Sequence, residues 1–127
     1  MADTYVGAID QGTTGTRFMV FDHSGQVVAN AYEKHEQIYP EPGWVEHDPM
    51  EIWENTKDVV TTGLDEADLD AEQLEALGIT NQRETTIVWD KETGKPVHNA
   101  LVWQDRRTTD RVEEIQEEGK VEWIREK

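Results

Sequence analysis

The first 36 residues constrain the fold most strongly, because three strand-like stretches follow one another with a glycine-bearing turn after each of the first two. The stretches are residues 5–9, 17–21 and 27–36, and the third shows a two-residue alternation of side chains. Glycine adopts the positive φ values that tight turns require, and short stretches rich in β-branched and aromatic residues are typical of strands. The pattern predicts an antiparallel meander of three strands.

Residues 48–67 carry the clearest helix signal, and a proline- and glycine-rich loop at 38–48 leads into it. Asp48 is a suitable cap, Pro49 suits the first helical position, and Glu51 is placed to complete a capping box. Helical spacing then predicts one buried face, made of Trp53, Thr56, Val60, Gly63, Leu64 and Ala67.

The second half of the chain alternates between helix and strand signals. In chain order we predict a short helix at 70–76, a strand at 77–81, and a hairpin with strands at 85–89 and 97–103 around a turn at 90–96. A further helix is predicted to begin at Arg106 and to end at Gly119, with Val112 and Ile115 on its inner side.

Residues 120–127 are predicted to begin one more helix. Val121, Trp123 and Ile124 form an apolar set there with few residues left to cover it. Strands, a helix, and strands again without a closing element predict an α/β piece of a larger domain. We expect such a piece to expose apolar surface and strand edges, and therefore to self-associate.

The charge of the chain narrows the classes of partner. Asp and Glu number 28 against 12 Lys and Arg, so the formal net charge is −16. Nucleic acids and anionic membranes both require clustered positive charge, and neither is expected as a partner. No apolar run approaches the ~20 residues that span a bilayer, and the N-terminus has no secretory pattern, so we expect a cytoplasmic protein.

The same acidity raises the question of whether the chain folds at all, because high charge and low hydropathy are typical of disorder. Five Trp, three Tyr and two Phe lie within the periodic segments, which favours a folded domain with an acid-coated surface. Such a surface suits molar salt, where the Debye length falls to about 3 Å and self-repulsion is screened. An acidic protein from an ordinary organism is the alternative.

The turn after the first strand is the first candidate site. Residues 10–16 (DQGTTGT) offer closely spaced backbone N–H groups and hydroxyls that suit phosphate oxygens. Asp10 is placed to hold Mg²⁺ directly or through water, and Arg17 would add positive charge. The Walker loop is excluded, because Thr13 stands where its lysine is required. An ordinary hairpin turn is the alternative interpretation.

Two further candidates follow later strands. Arg83 donates directed hydrogen bonds and Glu84 accepts them, so the pair is suited to clamp a polyol, although a surface ion pair is the alternative. Trp103 offers a flat wall to a carbon skeleton, or else is a core residue. The four histidines lack zinc-ligand spacing, the chain has no cysteine, and no nucleophile elbow occurs.

These motifs together resemble the FGGY family of sugar and polyol kinases. Residues 8–14 (AIDQGTT) are similar to the first phosphate loop of that family. Residues 42–49 (PGWVEHDP), 78–86 (GITNQRETT) and 102–104 (VWQ) resemble the members that phosphorylate glycerol in particular. The resemblance covers residues 5–125, and the block at 82–86 is its most specific part, because ketose kinases usually carry other residues there.

The resemblance implies a ribonuclease H-like, actin-like ATPase fold in which two such domains flank a cleft. Family members are much longer than 127 residues. Residues 1–127 are therefore expected to form the N-terminal part of the first kinase domain, an incomplete α/β portion with a mixed sheet and flanking helices. The adenine pocket and the general base, an aspartate in the family, are expected beyond Lys127, so the piece alone is expected to be inactive.

The resemblance also implies a reaction and a set of site residues. The reaction is transfer of the ATP γ-phosphoryl group to a terminal hydroxyl of glycerol, with Mg²⁺ as cofactor. The expected roles are Asp10 as the Mg²⁺-associated aspartate, Thr13, Thr14, Gly15 and Arg17 at the nucleotide phosphates, and Arg83, Glu84 and Trp103 around glycerol. Gly15 departs from the family, which often has serine there, so a hydroxyl contact would be lost.

Two rival functions remain open on the sequence. A kinase for another polyol or a ketose is the nearest rival. A non-catalytic actin-like module that only binds nucleotide is the rival from a different class, although such a module has no need of the polyol clamp at 82–86. Each of these functions is compatible with a homo-oligomer.

Overall fold

The computed structural model describes residues 3–127 as a mixed α/β arrangement of six strands and three α-helices. The strands are β1 Tyr5–Gln11, β2 Gly15–Phe21, β3 Val27–Lys34, β4 Glu46–His47, β5 Leu74–Thr80 and β6 Ala100–Leu101. The helices are α1 Pro49–Glu66, α2 Thr109–Glu117 and α3 Val121–Arg125, and a single 3-10 turn lies at Ala71–Gln73.

The main sheet has the strand order β3-β2-β1-β5. Strands β1, β2 and β3 pair antiparallel in sequence order, which confirms the predicted meander. Strand β5 pairs parallel with β1 after the chain has crossed the sheet through α1. The sheet is therefore mixed, as expected.

Helix α1 begins where the sequence predicted. The Asp48 carboxylate accepts a hydrogen bond from the Met50 N–H at 2.8 Å, and Pro49 occupies the first turn. The predicted capping box is wrong, because the Glu51 carboxylate accepts from the backbone N–H of Glu36, at 3.0 Å. Glu51 thus ties the end of the meander to the start of the helix.

The core lies between α1 and the meander. Phe18 on β2 is fully buried, and Gly63 of α1 lies directly above it, since a Cβ at Gly63 would come within 2.6 Å of the Phe18 ring. The absence of a side chain at Gly63 lets the helix approach the sheet closely. The buried cluster consists of Ile9, Phe18, Val20, Ala29, Ala31 and Val59.

The buried face of α1 is shifted from the predicted one. Val59 and Gly63 are buried, with Val60 and Leu64 packed beside them, but Trp53 is 54% exposed. The helix extends past the sheet at its N-terminal end, where Trp53 lines an open groove together with Trp89. Helical spacing alone does not show where a helix leaves the sheet that it covers.

Four predicted segments differ in type or extent. The helix predicted at 70–76 is a 3-10 turn, and β5 begins at Leu74, earlier than the predicted residue 77. The predicted hairpin at 85–103 is irregular: Thr86 bridges Leu101 and Trp89 bridges Pro96, but regular strand is confined to β6. Strand β6 instead pairs antiparallel with β4, inside the segment predicted to be a loop.

The C-terminal helices α2 and α3 agree with the sequence. Gly119 has a φ of +69° and ends the first of them. Val112 is exposed, against the prediction, because α2 packs on little else within residues 3–127. No helix in the described part of the chain combines the length and apolar character needed to cross a membrane.

Strands β1 and β5 place the loops that follow them side by side. The two strands run parallel with Asp10 next to Thr80, so their carboxyl ends meet at one edge of the sheet. In open α/β sheets this edge is where ligands bind. Within residues 3–127 no strand pairs with the outer side of β5, and Ile79 on this strand is 71% exposed.

Candidate active site

A cavity of about 460 Å³ opens at the carboxyl ends of β1 and β5. One side is formed by the loop after β1, the other by the loop after β5, and a tryptophan closes the end. Its lining residues are Asp10, Gln11, Gly12, Thr13, Asn81, Gln82, Arg83, Glu84 and Trp103. Asp10, Thr13, Arg83, Glu84 and Trp103, predicted separately from three motifs, therefore share one cavity.

A small second sheet brings Trp103 to this cavity. Strand β4 pairs with β6, and the Val102 N–H donates to the Val45 carbonyl at 3.1 Å. Trp103 follows directly, and its indole Nε1–H donates to the Thr13 hydroxyl at 2.9 Å. Trp103 is 51% exposed, so it is a wall of the cavity and not a core residue.

Arg83 and Glu84 lie on the side of the cavity that follows β5. Among residues 3–127, neither the Arg83 guanidinium nor the Glu84 carboxylate forms an ion pair or a hydrogen bond, so the alternative of a surface ion pair is not realised. Unpaired opposite charges side by side in a cavity are available to a polar ligand.

The backbone at Glu84 is strained. Its φ is +62°, in the left-handed region that side chains other than glycine rarely adopt. Such conformations cost roughly 1–3 kcal/mol and cluster at ligand-binding sites. This strained residue and Arg83 both line the cavity.

The carboxylate of Asp10 is exposed at the cavity and forms no hydrogen bond with residues 3–127. Magnesium ions in phosphate-transfer sites are commonly held by one or two carboxylates together with water and phosphate oxygens. A single free carboxylate beside a Gly-Thr loop fits that requirement. Within the described residues there is no group of three or more potential metal ligands of the His, Cys, Asp and Glu types.

Arg17 lies opposite Asp10 on the neighbouring strand and therefore on the same face of the sheet. Its guanidinium donates to the Asn30 side-chain oxygen at 2.7 Å and stacks 4.8 Å from the centre of the Tyr32 ring. Arg17 lines a separate groove with Asp10. Neither Arg17, Thr14 nor Gly15 lines the main cavity.

Gly15 is packed too closely to carry a side chain in this arrangement. A Cβ there would lie 2.3 Å from the Glu33 carbonyl oxygen and 2.7 Å from the Tyr32 hydroxyl. Tyr32 thus fills the space beside the loop that a larger residue at position 15 would take. A serine at position 15 would therefore require the loop or its neighbours to shift.

A buried charge cluster supports the segment that carries Trp103, and the sequence analysis did not identify it. The Arg107 guanidinium donates to Glu46 at 2.7 Å and to Asp105 at 2.8 Å, and it stacks 3.9 Å from the Trp44 ring centre. Asp105 also accepts from the Val45 N–H at 2.8 Å. The cluster clamps the loop before β4 to the segment after β6.

Arg107 controls the protonation of both carboxylates. Its hydrogen bonds lower the pKa of Asp105 to about 2 and hold the pKa of Glu46 below its usual value. Both carboxylates are therefore ionised at neutral pH. The signal in the sequence was two adjacent arginines directly after an aspartate, which gives no indication of the distant Glu46.

A polar network lies behind the Gly-Thr loop and was also missed. It joins Gln37, His47 and Gln82 to the loop carbonyls of Gly12 and Thr13. His47 is fully buried, and burial, with the nearby His35 as second cause, lowers the pKa of His47 to about 4. The imidazole is therefore neutral at pH 7.

Comparison with known proteins agrees with this site. Residues 5–127 match the N-terminal domain of the FGGY family of carbohydrate kinases. The chain is 92% identical over 125 residues to the glycerol kinase of Haloarcula marismortui, covering 98% of this chain and 24% of that protein. It is 90% identical over 127 residues to the glycerol kinase of Haloquadratum walsbyi, covering 100% and 25% respectively.

Solved structures give the same result. The crystal structure of Plasmodium falciparum glycerol kinase with ADP matches with a TM-score of 0.81 and 37% identity, over 89% of this chain and 23% of that one. The gluconate kinase of Lactobacillus acidophilus matches with a TM-score of 0.89 at 21% identity, over 99% and 25%, which shows the fold alone. The predicted actin-like α/β fold is confirmed.

The chain spans about a quarter of the length of the curated relatives that it matches. The two relatives named above come from halophilic archaea, in agreement with the salt-adapted surface predicted from the charge. The family match covers residues 5–127, and the identity to the relatives is high over nearly all of this chain. We conclude that this chain belongs to the FGGY family of carbohydrate kinases.

Proposed function

We propose that residues 1–127 form the N-terminal part of the first domain of an enzyme that transfers the ATP γ-phosphoryl group to glycerol, giving sn-glycerol 3-phosphate. One observation carries the proposal: Asp10 and Thr13 share a cavity with Arg83, Glu84 and Trp103. Groups suited to a metal-bound phosphate and groups suited to a polyol face the same space, as phosphoryl transfer between two bound ligands requires.

The phosphate side of the cavity consists of the loop after β1. We assign the nucleotide phosphates to the backbone and hydroxyls of Thr13 and Thr14 and to the backbone of Gly15, with Arg17 nearby as a positive charge. Asp10 would hold Mg²⁺, directly or through water. When bound, the ion neutralises charge on the phosphate oxygens.

The acceptor side consists of Arg83, Glu84 and Trp103. The guanidinium donates to glycerol hydroxyl oxygens, the carboxylate accepts from hydroxyl hydrogens, and the indole covers the carbon chain. Because Trp103 also donates to the Thr13 hydroxyl, the wall of the acceptor site is fixed to the phosphate loop. The two ligands are thereby held in a constant relative position.

Residues 1–127 supply binding and orientation in this proposal. The general base and the adenine pocket are assigned to the portion of the enzyme that corresponds to the other three quarters of the relatives. The piece by itself is therefore expected to be inactive, and the open edge of β5 is the surface through which it would self-associate. A cytoplasmic location fits both substrates.

The direct test is turnover by the full-length enzyme in molar KCl, with glycerol, xylulose and gluconate as acceptors and a reaction without acceptor. ADP release should depend on glycerol, and phosphorus NMR should identify sn-glycerol 3-phosphate as product. Preference for xylulose or gluconate would reject the substrate. Absence of ADP release with every acceptor would favour the non-catalytic module.

The strained residue gives a second test, in which Glu84→Gly is compared with Asp68→Gly. Both positions have positive φ, +62° and +53°, so glycine relieves strain at each while adding freedom to the unfolded chain. Stability should change by less than about 1 kcal/mol in both variants. Only Glu84→Gly should lose glycerol affinity, by roughly tenfold or more, since it alone removes a hydrogen-bonding carboxylate from the cavity. Equal glycerol affinity in the two variants, measured as KM, would remove Glu84 from the site.

A further inference from the structure

Two amide side chains hold the loop at residues 12–14, one of them buried (Gln82) and the other half-buried (Gln37). The Gln82 Nε2–H donates to the Gly12 carbonyl at 3.1 Å, and the Gln37 Nε2–H donates to the Thr13 carbonyl at 2.9 Å. Gln82 is 8% exposed. The two carbonyls therefore face Gln82 and Gln37, which lie in the segments that follow β5 and β3.

The direction of a backbone carbonyl also fixes the direction of the N–H group in the same peptide. In a trans peptide the N–H of a residue points away from the carbonyl of the residue before it. Fixing the Gly12 and Thr13 carbonyls thus directs the N–H groups of Thr13 and Thr14 away from the amides. Within residues 3–127 neither of these N–H groups donates a hydrogen bond, so both are available to an anion.

His47 fixes which atoms of the two amides face the loop. Its ring nitrogens lie 2.7 Å from the Gln37 Oε1 and 3.3 Å from the Gln82 Nε2. Since Gln37 uses Nε2 on the Thr13 carbonyl, its Oε1 accepts from the His47 Nε2–H, which leaves Nδ1 unprotonated to accept from Gln82. One neutral tautomer satisfies both contacts of the imidazole ring.

Gln82 also reaches the acceptor side. Its Oε1 accepts from the Thr85 hydroxyl at 2.9 Å, and the Thr85 oxygen accepts from the Trp103 backbone N–H at 3.2 Å. Gln82 thus contacts both loops of the cavity, whereas Gln37 contacts only the loop at residues 12–14. Replacement of Gln82 is therefore expected to affect both sides of the cavity, and replacement of Gln37 only the phosphate side.

We propose that Gln37, His47 and Gln82 are positioning residues that aim the Thr13 and Thr14 N–H groups at the nucleotide phosphates. The assignment of the phosphates to this loop rests on the function proposed above. None of the three is a catalytic residue, because each acts through the backbone of the loop. Their contribution is a preorganised anion site whose dipoles need no rearrangement when phosphate binds.

The test measures ADP and adenosine binding to the full-length enzyme, together with KM for ATP and for glycerol. Gln37→Met keeps the volume and removes the donor, so ADP affinity should fall about tenfold, as for the loss of one hydrogen bond to a charged ligand. Adenosine affinity and KM for glycerol should stay within twofold. Gln82→Met should lower ADP affinity and raise KM for glycerol together.

Gln73→Met is the matched control, since Gln73 also bonds the backbone, at the Asp70 N–H, but in the turn before β5. It should leave all constants unchanged. Unaltered ADP binding in both Gln37→Met and Gln82→Met, or equal losses for adenosine, would overturn the inference. If Gln37→Met fails to fold, Gln82→Met decides alone. A wild-type enzyme that binds ADP but does not phosphorylate glycerol would reject the proposed function and still leave the ADP comparison decisive.

Discussion

Replacement of Arg107 with alanine is expected to lower the free energy of unfolding by about 3 kcal/mol, because it leaves two buried carboxylates without their shared cation. Glu46 and Asp105 have side chains only 6% and 7% exposed, and the guanidinium contacts both. The variant also loses the stacking of the guanidinium on Trp44. Denaturant unfolding in molar KCl measures the change.

Arg111→Ala is the matched control for this prediction. Arg111 pairs with Glu114 at 2.6 Å, but both side chains are 60% exposed, so the pair should contribute less than about 1 kcal/mol. Each variant removes one positive charge, so general effects of the net charge are the same in both. Equal losses of stability would mean that the cluster has no special role.

The dependence of the unfolding free energy on acidic pH is an independent measure of the same cluster. The pKa of Asp105 is about 2 in the folded protein, below the value of about 3.9 expected for an unfolded aspartate. The depressed pKa therefore contributes stability that is fully present above about pH 4 and is lost as the pH falls toward 2. Arg107→Ala should flatten the dependence of unfolding free energy on pH in that window.

The fold was predictable from the sequence where the determining contacts are local. The meander and the start of α1 depend on turns and caps within a few residues, and both were found as predicted. The pairing of β4 with β6 joins residues more than 50 positions apart, and each strand has only two residues. No periodicity can develop over two residues, so the segment that contains β4 was predicted to be a loop, whereas β6 lies within a predicted strand.

The candidate site was likewise predictable only where the sequence signal is local. Asp10, Thr13, Arg83, Glu84 and Trp103 each follow a strand or strand-like segment, which is where polar ligands are expected, and the cavity joins all five. The contacts that support them were missed. Gln82 lies in the block at 82–86 that the sequence analysis identified, but both Gln82 and Arg107 act through partners on distant segments, which their neighbours in the sequence do not indicate.

Arg83→Ala in the full-length enzyme is expected to raise KM for glycerol roughly a hundredfold, because two charge-assisted hydrogen bonds to the substrate are lost together. The side chain has no hydrogen-bonding partner within residues 3–127, so its removal should leave stability unchanged within about 0.5 kcal/mol. A large kinetic effect without a structural one is typical of a residue that acts on the ligand.

Arg83→Lys distinguishes the geometry of the guanidinium from its charge. Lysine retains the positive charge but replaces the planar fork with a single ammonium, so the increase in KM should be intermediate, about tenfold. KM for ATP should change little in both variants, since the phosphate loop lies across the cavity from Arg83. An unchanged KM for glycerol in Arg83→Ala would reject the acceptor site, because no other unpaired cation lines the cavity within the described residues to take over the donation.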